Sequence, residues 1–131
     1  MKKFASILAA TAALLCGCAT TEVATVENGA VVGGEKPVAV VRAENYGYYL
    51  FSFVPLFAGN PDRQNENTLS LFSDTVSVEN NRKMIAKEAE RIGADTITNV
   101  NNKVSWTGSF SLWIFWREVL TSNATLLKKN L

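Results

Sequence analysis

Hydrophobic and polar positions change rhythm abruptly near residue 17. The chain opens on Lys2 and Lys3, followed by residues 4–15, a run in which only Ser6 and Thr11 are polar. That run is too short to cross a bilayer, which needs roughly 20 apolar residues. With its basic start and the small residues after it, it predicts an export signal over residues 1–17. Residues 18–36 then carry Thr20, Thr21, Thr25, Gly29, Gly33 and Gly34, with no aromatic residue and no sustained period. This predicts a flexible tether, which fully stretched would reach roughly 55 to 60 Å. The spacing of Val23, Val26, Val31 and Val32 marks an edge strand as the other option. The folded domain is expected over residues 37–131.

Within that domain, Val38, Val40 and Val41 predict a first strand and the aromatic run 46–57 a second extended segment that Pro55 stops. Gly47 permits a bend there. Residues 59–68, with Asn60, Pro61, Asp62, Asn65 and Asn67, read as a surface loop. The period then becomes helical. Over residues 77–93, Val78, Ile85, Ala89 and Ile92 fall on one stripe with Met84 beside it, while Glu79, Arg82, Lys83, Lys87 and Glu90 face away. Ser77 suits the N-cap and Gly93 the left-handed C-terminal cap. Residues 95–106 have strand composition, but Asn99, Asn101 and Asn102 interrupt the alternation, so a bulge or an early end is expected. Thr107, Gly108 and Ser109 mark a connection to a long last element, 112–128, and the two segments suggest a hairpin. The predicted class is α+β: a small sheet of three to four strands packed on one main helix in β-α-β-β order, preceded by a signal peptide and flexible tether.

Composition narrows the chemistry. The 131 residues include no histidine, which removes Ser-His-Asp and Cys-His catalysis and imidazole ligation of zinc. Net charge is +1 and becomes −1 without Lys2 and Lys3. No basic cluster lies outside the leader, so nucleic-acid binding, which depends on clustered Lys and Arg, is not expected.

The leader ends in Leu15, Cys16, Gly17, Cys18, which resembles the lipobox of bacterial lipoproteins. The resemblance implies that Cys18 becomes the first residue, its sulfur carrying diacylglycerol and its amino group an acyl chain such as palmitate. Each buried methylene contributes about 0.8 kcal/mol, so two or three chains would hold a domain persistently. It further implies a cell-envelope location; with Ala19 next, where retention in enterobacteria usually takes aspartate, that is the outer membrane, facing the periplasm. The mature chain would then hold no free thiol. An ordinary signal peptide that leaves Cys16 and Cys18 as a close pair is the alternative. Farther on, Ile92, Gly93, Ala94, Asp95 and then Glu118, Val119, Leu120, Thr121, Ser122, Asn123, Ala124 resemble the small YbjQ-like domains, nominally heavy-metal-binding, and the Rcs stress-sensor lipoproteins. That resemblance implies a β-α-β-β unit. Without histidine or a free cysteine, neither soft-metal binding nor the disulfide-locked signalling role transfers. The segment Asn45, Tyr46, Gly47, Tyr48, Tyr49, Leu50, Phe51, with Pro55, Leu56, Gly59 and Asn60, is similar to small bacterial lipoproteins to which no activity attaches.

Other candidate groups read more plainly. Asp62, Glu66 and Asp74 offer oxygen ligands to a hard cation such as Ca²⁺, but their spacing fits no EF-hand loop, and solvated loop charges are favoured. Glu88 and Glu90, two apart on a helix, point in different directions. Ser105, Thr107, Ser109 and Ser111 have only Lys103 nearby as a base, and Gly108 stands alone without a phosphate-cradling pattern. No cofactor, metal site or enzyme activity is expected. Two aromatic groups remain: Tyr46, Tyr48, Tyr49, Phe51, Phe53, Phe57 and Trp106, Phe110, Trp113, Phe115, Trp116 hold eleven of the thirteen aromatics. Both faces of residues 113–116 are apolar, so one must meet an oligomer partner, the membrane surface, or residues 46–57. The expected function is a membrane-anchored envelope lipoprotein, attached through Cys18 and acting as a non-enzymatic binding or structural module. Its partner would be a second copy or an envelope protein, reached through Tyr48, Trp113, Phe115 and Trp116. The alternative is an envelope sensor that signals through a protein partner.

Overall fold

The alternation that the sequence divides between a valine-rich strand and an aromatic one is continuous: Glu35–Leu50 forms a single strand, β2, of sixteen residues. The computed structural model describes residues 19–109 and 113–129. Ala39, Val41, Ala43, Asn45 and Tyr49 of β2 are buried on one face, and Val40, Arg42, Glu44, Tyr46 and Tyr48 turn to the other. Around β2 lie β1 (Ala19–Thr25), β3 (Val54–Gly59), β4 (Leu69–Leu71), the helix α1 (Val78–Ile92), β5 (Thr96–Ser109) and β6 (Phe115–Lys129), with a 3-10 turn at Pro61–Arg63. β6 pairs antiparallel along the whole of β2, from Glu35 opposite Lys129 to Leu50 opposite Phe115, and β5 pairs with β6 in the hairpin order expected, except that Thr107, Gly108 and Ser109, expected as the connection, lie within β5 opposite Arg117, Trp116 and Phe115. The other edge of β2 is shared: β1 occupies residues 39–45, β3 takes over from Gly47, and β4 lies outside β3.

This overturns the small sheet of three to four strands in β-α-β-β order. Among the described residues the sheet has six strands; strand makes up 57% and helix 17%. Two local causes explain the difference. The β2–β3 turn is built on Phe51 and Ser52, so it is hidden inside an apolar run, and Pro55 sits within β3 at a register shift, where its missing N–H is tolerated. The second cause is the segment expected as a tether. Ala19–Thr25 pairs residue for residue with β2, and Ala19 is 3% exposed inside the main core. Only three residues of β1 face inward, Ala19, Thr21 and Val23, too few to register as an apolar period. The export signal, Cys18, Phe110, Ser111 and Leu112 lie outside the described residues.

α1 begins and ends where the sequence places it. The Ser77 hydroxyl accepts from the Asn80 N–H at 3.2 Å, and Gly93 closes the helix at φ 72°. Met84, Ile85 and Ala89 pack on Ala39, Val41, Ala43, Ala124 and Leu126, and the alanines of the sheet let the helix approach closely. Fully burying Met84, Ile85 or Leu126 contributes about 1.5–3 kcal/mol each. Asn81 lies on the same stripe, fully buried, and its amide donates to the Leu120 carbonyl at 3.0 Å, the Ser122 hydroxyl at 3.0 Å and the Ala43 carbonyl at 3.3 Å. One side chain thereby ties α1 to both central strands. A smaller second core holds Tyr49, Ala58, Val76 and Leu120, with Trp116 against it. Gly47 makes room there rather than a bend: a Cβ would stand 2.9 Å from that of Ala58 and 3.1 Å from Val76 Cγ2. In β5 the interrupted alternation is a bulge, with Asn99 at φ 52° and the register shifting between Thr98 and Asn101.

Candidate functional site

The start of β1 is held by polar side chains from two other elements. The Thr21 hydroxyl donates to Glu88 of α1 at 3.1 Å and accepts from Asn65 at 2.9 Å and Gln64 at 3.3 Å. Gln64 also donates to Glu88 at 3.1 Å and to the Met84 carbonyl at 3.4 Å, while the Asn65 N–H reaches the Ala19 carbonyl at 2.8 Å. Burial would raise the Glu88 carboxyl, but Arg91, hydrogen-bonded at 2.7 Å, together with Thr21 and Gln64 outweighs it and holds the group below the usual carboxylate range. The first residues after position 18 are therefore fixed to the loop and to the helix.

The end of the sheet reached by the β2–β3 and β5–β6 connections is aromatic and exposed. Phe53 is 73% exposed, Trp113 76% and Phe72 78%, with Phe51, Leu71 and Phe115 also outward. The two connections adjoin through the Phe51 N–H to the Ile114 carbonyl at 2.6 Å, and Phe72 is placed beside β3 by its N–H to the Leu56 carbonyl at 3.0 Å. Phe51, Ser52, Phe72 and Trp113 all carry φ between 52° and 68°, a region that bulky residues seldom enter. Residues 45–61, 67–73 and 104–116 include no charged side chain. The opposite end carries Glu35, Lys36, Asp95, Lys128 and Lys129, and the Lys129 N–H donates to Asp95 at 2.9 Å.

Between the core and the aromatic rim sits one acidic group. The Tyr49 hydroxyl donates to Asp74 at 2.7 Å, and burial, then Asp74, then Glu118 push the phenol above its ordinary range. Glu118 is itself pushed up, first by burial and next by the Asp74 charge. The remaining candidates are dispersed. Asp62 and Glu66 lie in the loop of the 3-10 turn, far in role from Asp74, and among the described residues no three His, Cys, Asp or Glu side chains gather as a metal-holding group. Lys103 and Ser105 line a shallow depression of about 480 Å³ on the face opposite α1, together with Arg42, Glu44, Arg117 and Thr121.

Of the four residues expected as a contact surface, Trp113 and Phe115 reach the rim. Trp116 turns inward with its indole N–H on the Trp113 carbonyl at 2.9 Å, and Tyr48 lies on the open face against Phe57. Residues 46–57 cover residues 113–116 only in part: Trp116 packs against the cluster that includes Tyr49, while Trp113 and Phe115 stay exposed. The sequence reading missed the Thr21, Gln64, Asn65 and Glu88 clamp and the buried Asn81. Positions 81, 84, 85 and 88 follow the helical period, so the stripe taken without regard to polarity would have found Asn81 and Glu88. No protein-family model, curated protein or solved structure matches the chain. Among the described residues no helix is long and apolar enough to cross a membrane.

Proposed function

We propose that the chain is a lipid-anchored bacterial envelope lipoprotein whose domain serves as a non-enzymatic binding or structural module. The observation that carries this reading is the sequence Leu15, Cys16, Gly17, Cys18 placed directly after a basic, apolar leader. The fold is compatible with it: β1 spans Ala19–Thr25, so cleavage before Cys18 would keep every strand of the described sheet. The exposed aromatic end supplies the contact surface that a module of this kind requires. Mass spectrometry of the mature chain tests it. A mass increment of two or three acyl chains on the peptide beginning at Cys18 is expected, and Cys18→Ser should move the protein from the membrane fraction to the soluble one. An unmodified N-terminal peptide, or an unchanged fractionation of Cys18→Ser, overturns the proposal.

A further inference from the structure

The open face of the sheet, across from α1, gathers charges that lie far apart in the chain. Glu22 of β1 stands opposite Arg42 of β2 in the strand register, and the Arg42 guanidinium donates to Glu44 at 2.8 Å, which also accepts from the Thr121 hydroxyl at 3.3 Å. These two acids therefore lie on the β1–β2 side and offset Arg42. Lys103 of β5 and Arg117 of β6 line the same depression of about 480 Å³, and neither forms an ion pair among the described residues. The Arg117 guanidinium lies 4.4 Å over the Tyr46 ring, and its Nε is buried without a hydrogen-bond partner, so a ring face rather than a carboxylate holds this charge in place. Resting on the reading of the domain as a binding module, though not on its anchor, we propose that the depression binds an acidic glycan segment, with Lys103 and Arg117 on its carboxylates and Ser105, Thr121 and Asn123 on its hydroxyls.

Four features of this face select that chemistry. The lining is polar apart from Val119, where a site for an apolar ligand would be mostly hydrophobic. Lys103 lies opposite Thr121, which is four residues from Arg117 along β6, so the two unpaired cations stand roughly 14 Å apart at their Cα atoms. That spacing suits acidic groups distributed along a chain better than it suits one small ion. Tyr48, opposite Arg117 in the register, packs on Phe57 with ring centroids 5.1 Å apart, which sets an aromatic surface beside the cation. A sugar ring offers its C–H face to such a surface and its hydroxyls to the polar groups next to it. Finally, Glu22 and Glu44 on the same face disfavour a chain of phosphates, whose binding depends on clustered Lys and Arg.

Backbone amide NMR of the full chain in an uncharged polyoxyethylene detergent tests this, with trigalacturonate as the acidic probe, maltotriose as the neutral one and inorganic phosphate as the bare oxyanion. Trigalacturonate should shift the amides of residues 103–107 and 117–123 and saturate them. Lys103→Gln and Arg117→Gln should each weaken its binding at least fivefold, and Lys83→Gln, on the exposed side of α1, should leave it unchanged. The α1 amides report that each variant is folded; should Arg117→Gln disturb the fold, Lys103→Gln, at an exposed position, decides alone. No shift with trigalacturonate, equal affinity for maltotriose, or parental affinity in Lys103→Gln overturns the acidic-glycan site. Phosphate that saturates the same amides at the same concentration as trigalacturonate signifies an anion site without a glycan and also overturns it. None of these outcomes depends on Cys18, whose acylation mass spectrometry reads separately, so loss of the glycan site and loss of the anchor are told apart.

Discussion

The β2–β3 turn offers a direct measurement of how much stability the fold gives up to expose its rim. The Phe53 N–H bonds the Leu50 carbonyl at 3.3 Å, and the two residues inside that turn, Phe51 and Ser52, have φ of 54° and 68°. Positive φ at both central positions is the mark of a primed hairpin turn, which ordinarily takes Asn-Gly. An L-residue held in the left-handed region costs about 1–2 kcal/mol, so the pair stores roughly 2–4 kcal/mol. Replacing them by Phe51→Asn and Ser52→Gly recovers most of that. Against it stand about 0.5–1 kcal/mol for the added freedom of glycine in the unfolded chain and about 1 kcal/mol for the half-buried ring of Phe51. The double variant should therefore be more stable by about 1 kcal/mol, a rise in Tm of roughly 4–8 °C for a domain of this size. Urea titration followed by tryptophan fluorescence, with the midpoint compared at constant slope, measures it. A loss of 1 kcal/mol or more would refute the reasoning, because it would mean that the Phe51 ring packs inward and that the turn carries no recoverable strain.

Two further predictions concern the interior. Asn81→Asp should destabilise by about 3–5 kcal/mol, since it aims a carboxylate at the Leu120 carbonyl and the Ser122 hydroxyl with its charge unpaired, whereas Asn81→Leu should cost less than half as much; equal midpoints for the two in urea would show that the amide bonds do not matter. For pH, the folded Glu118 carboxyl lies above its ordinary 4.5, so its ionisation in the folded state opposes folding increasingly as pH rises past that value, while Glu88 lies below 4.5 and contributes stability that is lost as pH falls through its folded pKa. Glu118→Gln should thus raise the melting temperature at pH 7 with the gain vanishing toward pH 4, and Glu88→Gln should lower it at pH 7 with the loss vanishing at acid pH; parallel profiles for either variant and the parent would contradict the assignment.

The parts of the fold legible in the sequence are those in which one local rule acts alone. Ser77, the stripe of Met84 and Ile85, and Gly93 define α1 because capping and period both point to the same fifteen residues. The β5–β6 hairpin and its bulge followed from composition and from the asparagines that break the alternation. The failures share one cause, which is that sheet pairing lies outside local rules. β1 alternates too briefly to be distinguished from a threonine-rich linker, and only its neighbours on β2 give it a reason to be a strand. β4, three residues long, exists only because β3 offers it an edge. The hairpin turn at Phe51 and Ser52 violates turn chemistry, so the rule that would have split residues 46–57 had nothing to act on. The candidate surface was partly legible for a related reason: aromatic density marks it, but which rings turn inward depends on strand register, and register placed Trp116 against the second core and left Trp113 outside it.

The same misjudged segment decides how the module would work. A domain on a relaxed linker over residues 19–36 would present every face at every height above a membrane, and contact with any partner would carry the entropy of restraining it. A domain in which Ala19 is already packed in the core, directly after the position proposed for the lipid, has little of that freedom to lose. The long axis of β2 and β6 runs from the aromatic end of the sheet to its charged end, and α1 covers one face of the sheet. The face left open is the one carrying Arg42, Glu44, Lys103, Arg117 and Thr121, midway between the rim and the charged end. Preorganisation of that kind favours binding by lowering its ordering cost rather than by adding contacts. In the anchored reading, the packed junction at Ala19 would restrict the orientations of the domain, and with them the directions in which the exposed aromatic end and the mixed-charge face are presented.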